Sequence, residues 1–245
     1  ALGVVTAAIH SAHHTCALAV FLRRATDRGL IAQISVSNPA AARVAPFGGT
    51  RPLLTPNPLA AGFPTSGDPI LVDVSSSVTT TTMTQTLARE GGRFPEAWVL
   101  TADGHPSDDP REVTERGGSI MPLGGALKGH KGFGLALIVE LLGQGLSGRG
   151  RANVAPGPLA QSAFLQVIDP AAFAGAAAFA EQADHLAAAN RANPPADPDR
   201  PVRMPGDAAS SRRRRALAAG VPVADALWTR LSALAQARGV PVPRA

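Results

Sequence analysis

The sequence predicts an α/β fold, a sheet with flanking helices, on three observations. Two apolar runs of strand length, residues 4–9 and 30–36, flank a helix-like stretch. Strand, helix and strand thus succeed one another within about 35 residues, as in a βαβ crossover. Short apolar runs recur at 59–63, 70–74 and 164–168, and longer stretches of helical composition separate and follow them.

The elements follow in order. Residues 15–28 place Leu18, Phe21, Leu22 and Ala25 on one helical face, and Gly29 stops that helix. Residues 38–58 form a Pro- and Gly-rich loop carrying "APFGGT". Two strands come next, at 59–63 and 70–74. The polar run "SSSVTTTTMTQ" opens a helix over about 78–90, despite the poor helix propensity of threonine. Residues 93–121 read as irregular and exposed. In "GHKGFGLALIVELLGQGLSG" glycines lead into a buried helix that ends across 143–150. A strand at 164–168 and an alanine-rich helix at 171–191 follow. Residues 194–205 make a linker or lid, and helices near Arg212 and Leu227 close the chain. There is no internal repeat, and residues 1–245 are read as a single domain.

Composition narrows the function. A chain of 245 residues, 45% apolar, buries a sizeable core. No apolar run approaches the ~18 residues a membrane span needs. One cysteine, Cys16, excludes an internal disulfide framework and suits a cytoplasmic location. The first residues read as a core strand rather than a signal peptide, as though the chain begins in mid-domain. The net charge of +5 is modest, and much of it lies in "SSRRRRALAAG", read as a solvated helical face. With no Tyr, two Trp and eight Phe, little is available for base stacking, so nucleic acid is not the expected partner.

Two stretches can carry chemistry. In "HSAHHTC", His10, His13, His14 and Cys16 approach a metal constellation, but no second ligand pair follows at a matching spacing, so no metal is assigned. A histidine at the carboxyl end of a strand suits proton transfer near neutral pH. In "GHKGFG" the spacing is GxxGxG, neither the dinucleotide fingerprint nor a phosphate loop. Lys131 and a helix N-terminus could still face one anion, helped by the hydroxyls of residues 75–82. Spacing alone leaves loop and capping roles open for all of these.

Taken together, "SAHHTCALAVFLRRATDRGLIA", "SNPAAARVAPFGGT", "TPNPLAAGFP", "ILVDVSSS", "PLGGALKGHKGFGLALIVELLGQGLSG" and "MPGDAASSRRRRALAAGVPV" resemble, in order and spacing, the type-2 malate/L-lactate dehydrogenase family. Relatives in that family act on ureidoglycolate, sulfolactate and cyclic imino acids. The resemblance implies a mixed sheet with flanking helices of the malate/L-lactate dehydrogenase (sulfolactate dehydrogenase-like) type, not the usual Rossmann fold. It implies an NAD(P)-dependent oxidoreductase moving hydride between NAD or NADP and a 2-hydroxy/2-oxo acid. A cyclic imino-acid reductase and a truncated, non-catalytic nucleotide-binding paralogue are the alternatives. The family's catalytic histidine, in S-x-H-x-G, falls on His13. A cofactor-lining serine falls on Ser37, the D-M-A-T-S cofactor segment on Asp73, Val74 and Ser75, and the H-K-G-[YF]-G-L lysine on Lys131. The G-T-N-P segment reads Thr55-Pro56-Asn57-Pro58, keeping Asn57.

The sequence departs from the pattern in four places. Thr15 replaces the glycine after the histidine, Thr101 the aspartate of W-x-x-D-x-x-G, and Thr82-Met83 a glycine-lysine pair. Family members also carry roughly a hundred residues ahead of the first strand, with an S-H-G-x-x-R segment that contributes to substrate binding. A small-molecule substrate, no membrane and a homodimer are the implied partners.

Overall fold

The structure, a computed structural model, describes residues 2–155, 157 and 160–242. The chain divides into two compact units, Ala1–Gly206 and Asp207–Ala245. The first unit carries strands β1 (Val4–Ala12), β2 (Ile31–Ser37), β3 (Leu59–Phe63), β4 (Ile70–Val74), β5 (Val99–Leu100), β6 (Pro106–Ser107), β7 (Ser119–Ile120) and β8 (Gln161–Ile168). Five of them form the main sheet in the order β1-β8-β2-β3-β4, and the three shortest form a second sheet, β6-β5-β7.

The α/β class with flanking helices is borne out. β1 and β2 run the same way, as a βαβ crossover requires, yet they are not neighbours. β8 lies between them, antiparallel to both, and every ladder in the two sheets is antiparallel. Among the described residues the sheet therefore contains no parallel pair where a mixed one was expected, because a strand from far along the chain occupies the gap.

Helix α1 (Ala19–Thr26) covers one face of the main sheet. Leu18 and Leu22 pack there with Ala32, Ile34, Val36, Ala60, Leu71 and Ala163. Each fully buried Leu or Ile contributes roughly 1.5–3 kcal/mol. Gly62 on β3 makes the approach possible: a Cβ there would lie 2.9 Å from Leu22 Cβ. The helix begins at Ala19 rather than near residue 15, since Cys16 holds a left-handed backbone (φ 56°) that no helix accommodates.

Helix α2 (Thr81–Arg89) begins where the Thr80 hydroxyl accepts the Met83 amide at 3.2 Å. Residues 93–121, expected to be irregular and exposed, instead hold the second sheet and the short helix α3 (Arg111–Thr114). Val99 and Ile120 are fully buried there with Val44, Leu54, Phe94 and Ala136. Two-residue strands are too short to show a period, which is why the sequence hides them.

Helices α4 (Gly125–Lys128) and α5 (His130–Glu140) run on into a π-helix, Leu141–Gly145, so the apolar segment continues through Gly143. The buried helix expected here is buried along one side, by Gly132, Ala136, Val139 and Glu140. A 3-10 turn (Pro170–Ala172) and helix α6 (Ala176–Arg191) follow, and residues 194–206 have neither helix nor strand. The second unit holds α7 (Asp207–Ala219) and α8 (Asp225–Ala237). Among the described residues no helix is long and apolar enough to cross a membrane.

Candidate active site

The register of the main sheet brings three strand ends together. Val74 is opposite Leu59, Leu59 opposite Ser35, Ser35 opposite Phe164, and Phe164 opposite Ala8. β1, β2 and β4 therefore all finish at one end of the sheet. Ala12 and Ser37 flank β8 there, paired with Gln161 and Ser162. At about 4.8 Å per strand, Ser37 lies roughly 10 Å from the loop that leaves β1.

That loop holds His13, which is exposed and makes no hydrogen bond among the described residues. Ser11 and Cys16 both have left-handed backbones, and the ladder slips between Ile9 and Ala12, so the chain turns sharply out of the strand. His10 Nδ1 is 2.9 Å from Ser11 Oγ, and His14 Nδ1 is 3.7 Å from Cys16 Sγ. No group of three His, Cys, Asp or Glu among the described residues is arranged to hold a metal. Thr15, standing in for a glycine, accepts a 2.8 Å hydrogen bond from Gln161 Nε2 and so ties the loop to β8.

Asp73 leaves β4 and accepts the Ala19 amide at 2.9 Å. This carboxylate fixes the start of α1, and with it the far end of the His13 loop. Val74 is exposed, and the half-buried Ser75 donates to the Ser77 carbonyl at 2.9 Å. The Ser75 segment meets α5: a Cβ at Gly132 would be 2.2 Å from Leu123 N and 2.6 Å from Ser76 O. Gly132 thus packs directly on the chain at Leu123 and Ser76, and its neighbour Lys131 is exposed. At this helix start the Gly132 N–H donates to Leu123 O and the Phe133 N–H to Gly129 O.

Ser37 is turned inward. The residue is 1% exposed, and its hydroxyl donates to Glu140 Oε1 at 2.8 Å and accepts from Gln144 Nε2 at 2.6 Å. The same Oε1 accepts Asn57 Nδ2 (3.0 Å) and Arg151 Nη2 (2.8 Å) and Nε (3.2 Å). Arg151 also donates to the carbonyls of Asn38, Pro39 and Ala41, which shapes the loop after β2. Asn57, wholly buried with φ 42°, reaches the Ala136 carbonyl as well. Sequence reasoning missed Glu140, Gln144 and Arg151. The only available signals were one acidic residue inside an otherwise apolar helix and an arginine just after the glycines.

Two acidic residues elsewhere have shifted carboxyls. The forked Arg111 guanidinium and its helix-start amide hold Asp109 well below the usual carboxylate range, with Arg116 adding to the effect. Asp103 is lowered by the hydroxyl of Thr101, in the exposed turn between β5 and β6.

The sequence pattern of the malate/L-lactate dehydrogenase family matches residues 1–232. The chain belongs to this family. Among its relatives, the Delta(1)-pyrroline-2-carboxylate/Delta(1)-piperideine-2-carboxylate reductase of Pseudomonas syringae pv. tomato is 34% identical over 241 residues, covering 95% of this chain and 66% of the relative. The L-lactate dehydrogenase of Cupriavidus necator is 32% identical over 208 residues, covering 82% of this chain and 58% of that protein. The solved sulfolactate dehydrogenase of Methanocaldococcus jannaschii superposes with a TM-score of 0.83 over 98% of this chain and 68% of that one; at 23% identity it speaks for the fold. The chain spans about two thirds of the length of the P. syringae relative.

Proposed function

We propose that the chain acts as an NAD(P)-dependent oxidoreductase on a 2-oxo/2-hydroxy acid, within a cytoplasmic homodimer. The observation that carries this reading is the meeting of the β1, β2 and β4 ends, with the His13 loop, Ser37 and residues 73–75 on them. The side chains present suit a nicotinamide dinucleotide in kind. Lys131 offers a cation for phosphate, and the exposed Val74 offers an apolar face for a ring. The cofactor, when bound, supplies or accepts the hydride.

The chain's own residues do the rest. His13 gives a proton from a ring nitrogen to the developing alkoxide in reduction and takes it back in oxidation. Asp73, through the Ala19 amide, and Gln161, through Thr15, hold the two sides of the loop that carries His13. Ser37 acts through the wall it builds with Glu140 rather than through a free hydroxyl.

A second reading, a cyclic imino-acid reductase, is favoured by the 34% identity to the P. syringae reductase over nearly the whole chain. Both substrates present a C=O or C=N carbon beside a carboxylate, so the same arrangement serves either.

The test is loss of reduced-nicotinamide absorbance with NADH or NADPH against a panel of 2-oxo acids and cyclic imino acids. Turnover with one class names substrate and cofactor together. His13→Ala is expected to lower kcat by roughly 10²–10⁴-fold while leaving the cofactor Kd, from fluorescence titration, nearly unchanged. A variant that keeps most of its rate removes His13 from the mechanism. Cofactor binding without turnover across the panel would favour a non-catalytic nucleotide-binding relative.

A further inference from the structure

Helix α1 lies over β2, β3 and β4. On the same face of the main sheet, a groove of about 460 Å³ runs between α1 and the edge strand β1. Small-molecule sites typically occupy ~300–1,000 Å³. Alternate residues of β2 and β8 make its floor, from Ala32 beside Val167 at one end to Val36 beside Ala163 at the other. At ~3.3 Å per residue this floor is roughly 13 Å long. Phe21 of α1, 44% exposed, forms one wall, and Ile9 of β1, 43% exposed, stands opposite.

The two ends differ in charge. Arg24, in the last turn of α1, and Arg28, just past it, stand where the chain turns into β2, at the Ala32 end. Both are exposed, and among the described residues neither forms an ion pair. Arg28 gives one N–H to the Arg24 carbonyl at 2.6 Å, which brings the two side chains to the same side. The other end closes on Thr15, whose hydroxyl already accepts Gln161 Nε2 at 2.8 Å. No acidic side chain lines the groove among the described residues. Between the ends its side chains are apolar, and the backbone of β8 is paired on both edges, with β1 and β2. A ligand polar in its middle would lose hydrogen bonds to water there and gain none. One with an anion at a single end and an apolar body loses nothing.

We infer that this groove binds a fatty acid. Its carboxylate is held by the guanidinium groups of Arg24 and Arg28, whose planar forks match carboxylate oxygens. Its chain lies along β8 toward Thr15, and the tail ends against the loop that carries His13. The site is distinct from the one read as holding a cofactor, and it binds whether or not the chain turns over a substrate.

The experiment is displacement of fluorescent dansyl-undecanoate from the full chain by hexanoate, octanoate, decanoate and dodecanoate. Affinity is expected to rise roughly twofold to fourfold per added methylene. It should level off once the chain outgrows the ~13 Å floor. Arg24→Glu/Arg28→Glu, which alters exposed side chains, should weaken dodecanoate at least tenfold with an unchanged circular dichroism spectrum. Dodecanol, which has the chain without the charge, should bind at least tenfold more weakly than dodecanoate to wild type. Arg212→Gln/Arg213→Gln, which removes charge from α7, should leave dodecanoate affinity unchanged. Absence of displacement by any of the acids overturns the site. A gain that continues undiminished through hexadecanoate means adsorption to an open surface and overturns it as well. Equal affinity for dodecanol, or an equal loss in the α7 variant, removes Arg24 and Arg28 as the carboxylate's partners and overturns the assignment. None of these results bears on turnover, which the absorbance assay reports separately.

Discussion

One carboxylate oxygen, Glu140 Oε1, collects the Ser37 hydroxyl, the Asn57 amide and two nitrogens of Arg151. Charge-assisted bonds of this kind join residues 37 and 57 to residues 140 and 151; Ser37 and Glu140 are separated by 103 positions. Nothing in local spacing could announce that meeting, whereas His13 and Lys131 lie inside compact motifs that draw attention to them as candidates. The motif reading of Ser37 carried no information on its environment, since a serine at a strand end gives no sign of which way its hydroxyl turns. Asp109 is the other residue whose setting was invisible beforehand. Arg111 and Arg116 depress its pKa in the folded state, so its contribution is complete above the unfolded value of 3.8 and is lost as pH falls below it. Asp109→Asn is therefore expected to lower unfolding free energy by roughly 1–3 kcal/mol at pH 7. In urea titrations the difference from wild type should shrink toward pH 3. A gap of constant size would mean that charge plays no part.

Among the elements, β3 and β4 were read to the residue, because proline and glycine bracket two short apolar runs. α1 was recognised by its Leu18–Leu22–Ala25 face, but not its first residue, since its start is set by the left-handed Cys16 and by Asp73 from a distant strand. The second sheet escaped because burial there comes from single residues such as Val99 and Ile120 rather than from a run. In α5 the apolar content was plain, but a helix apolar on both sides gives no hint of which side its own unit covers. The contact between α1 and β3 has a sharp test. Gly62→Ala would bring a Cβ against Leu22 Cβ, and overpacking of this kind costs about 1–3 kcal/mol. A Tm equal to that of wild type would show that α1 can lift away freely.

At the scale of the molecule, residues 194–206 close the first unit without helix or strand, and most of them are exposed. Trypsin should cut first after Arg203, the bond after Arg200 being protected by Pro201, and before it reaches the arginines of α7. Mass spectrometry of a brief digest would show a fragment ending at Arg203; early cleavage within residues 212–215 would mean instead that α7 opens more readily than residues 194–206 are cut. The position of β8 has a consequence in time. β1 and β2 leave the ribosome well before β8, the strand that separates them, which begins about 120 residues after β2 ends. At 5–20 residues per second, translation takes roughly 6–25 s to supply it. Until then two strand edges have no native partner, and a nascent chain in that interval is most open to chaperones and to mispairing.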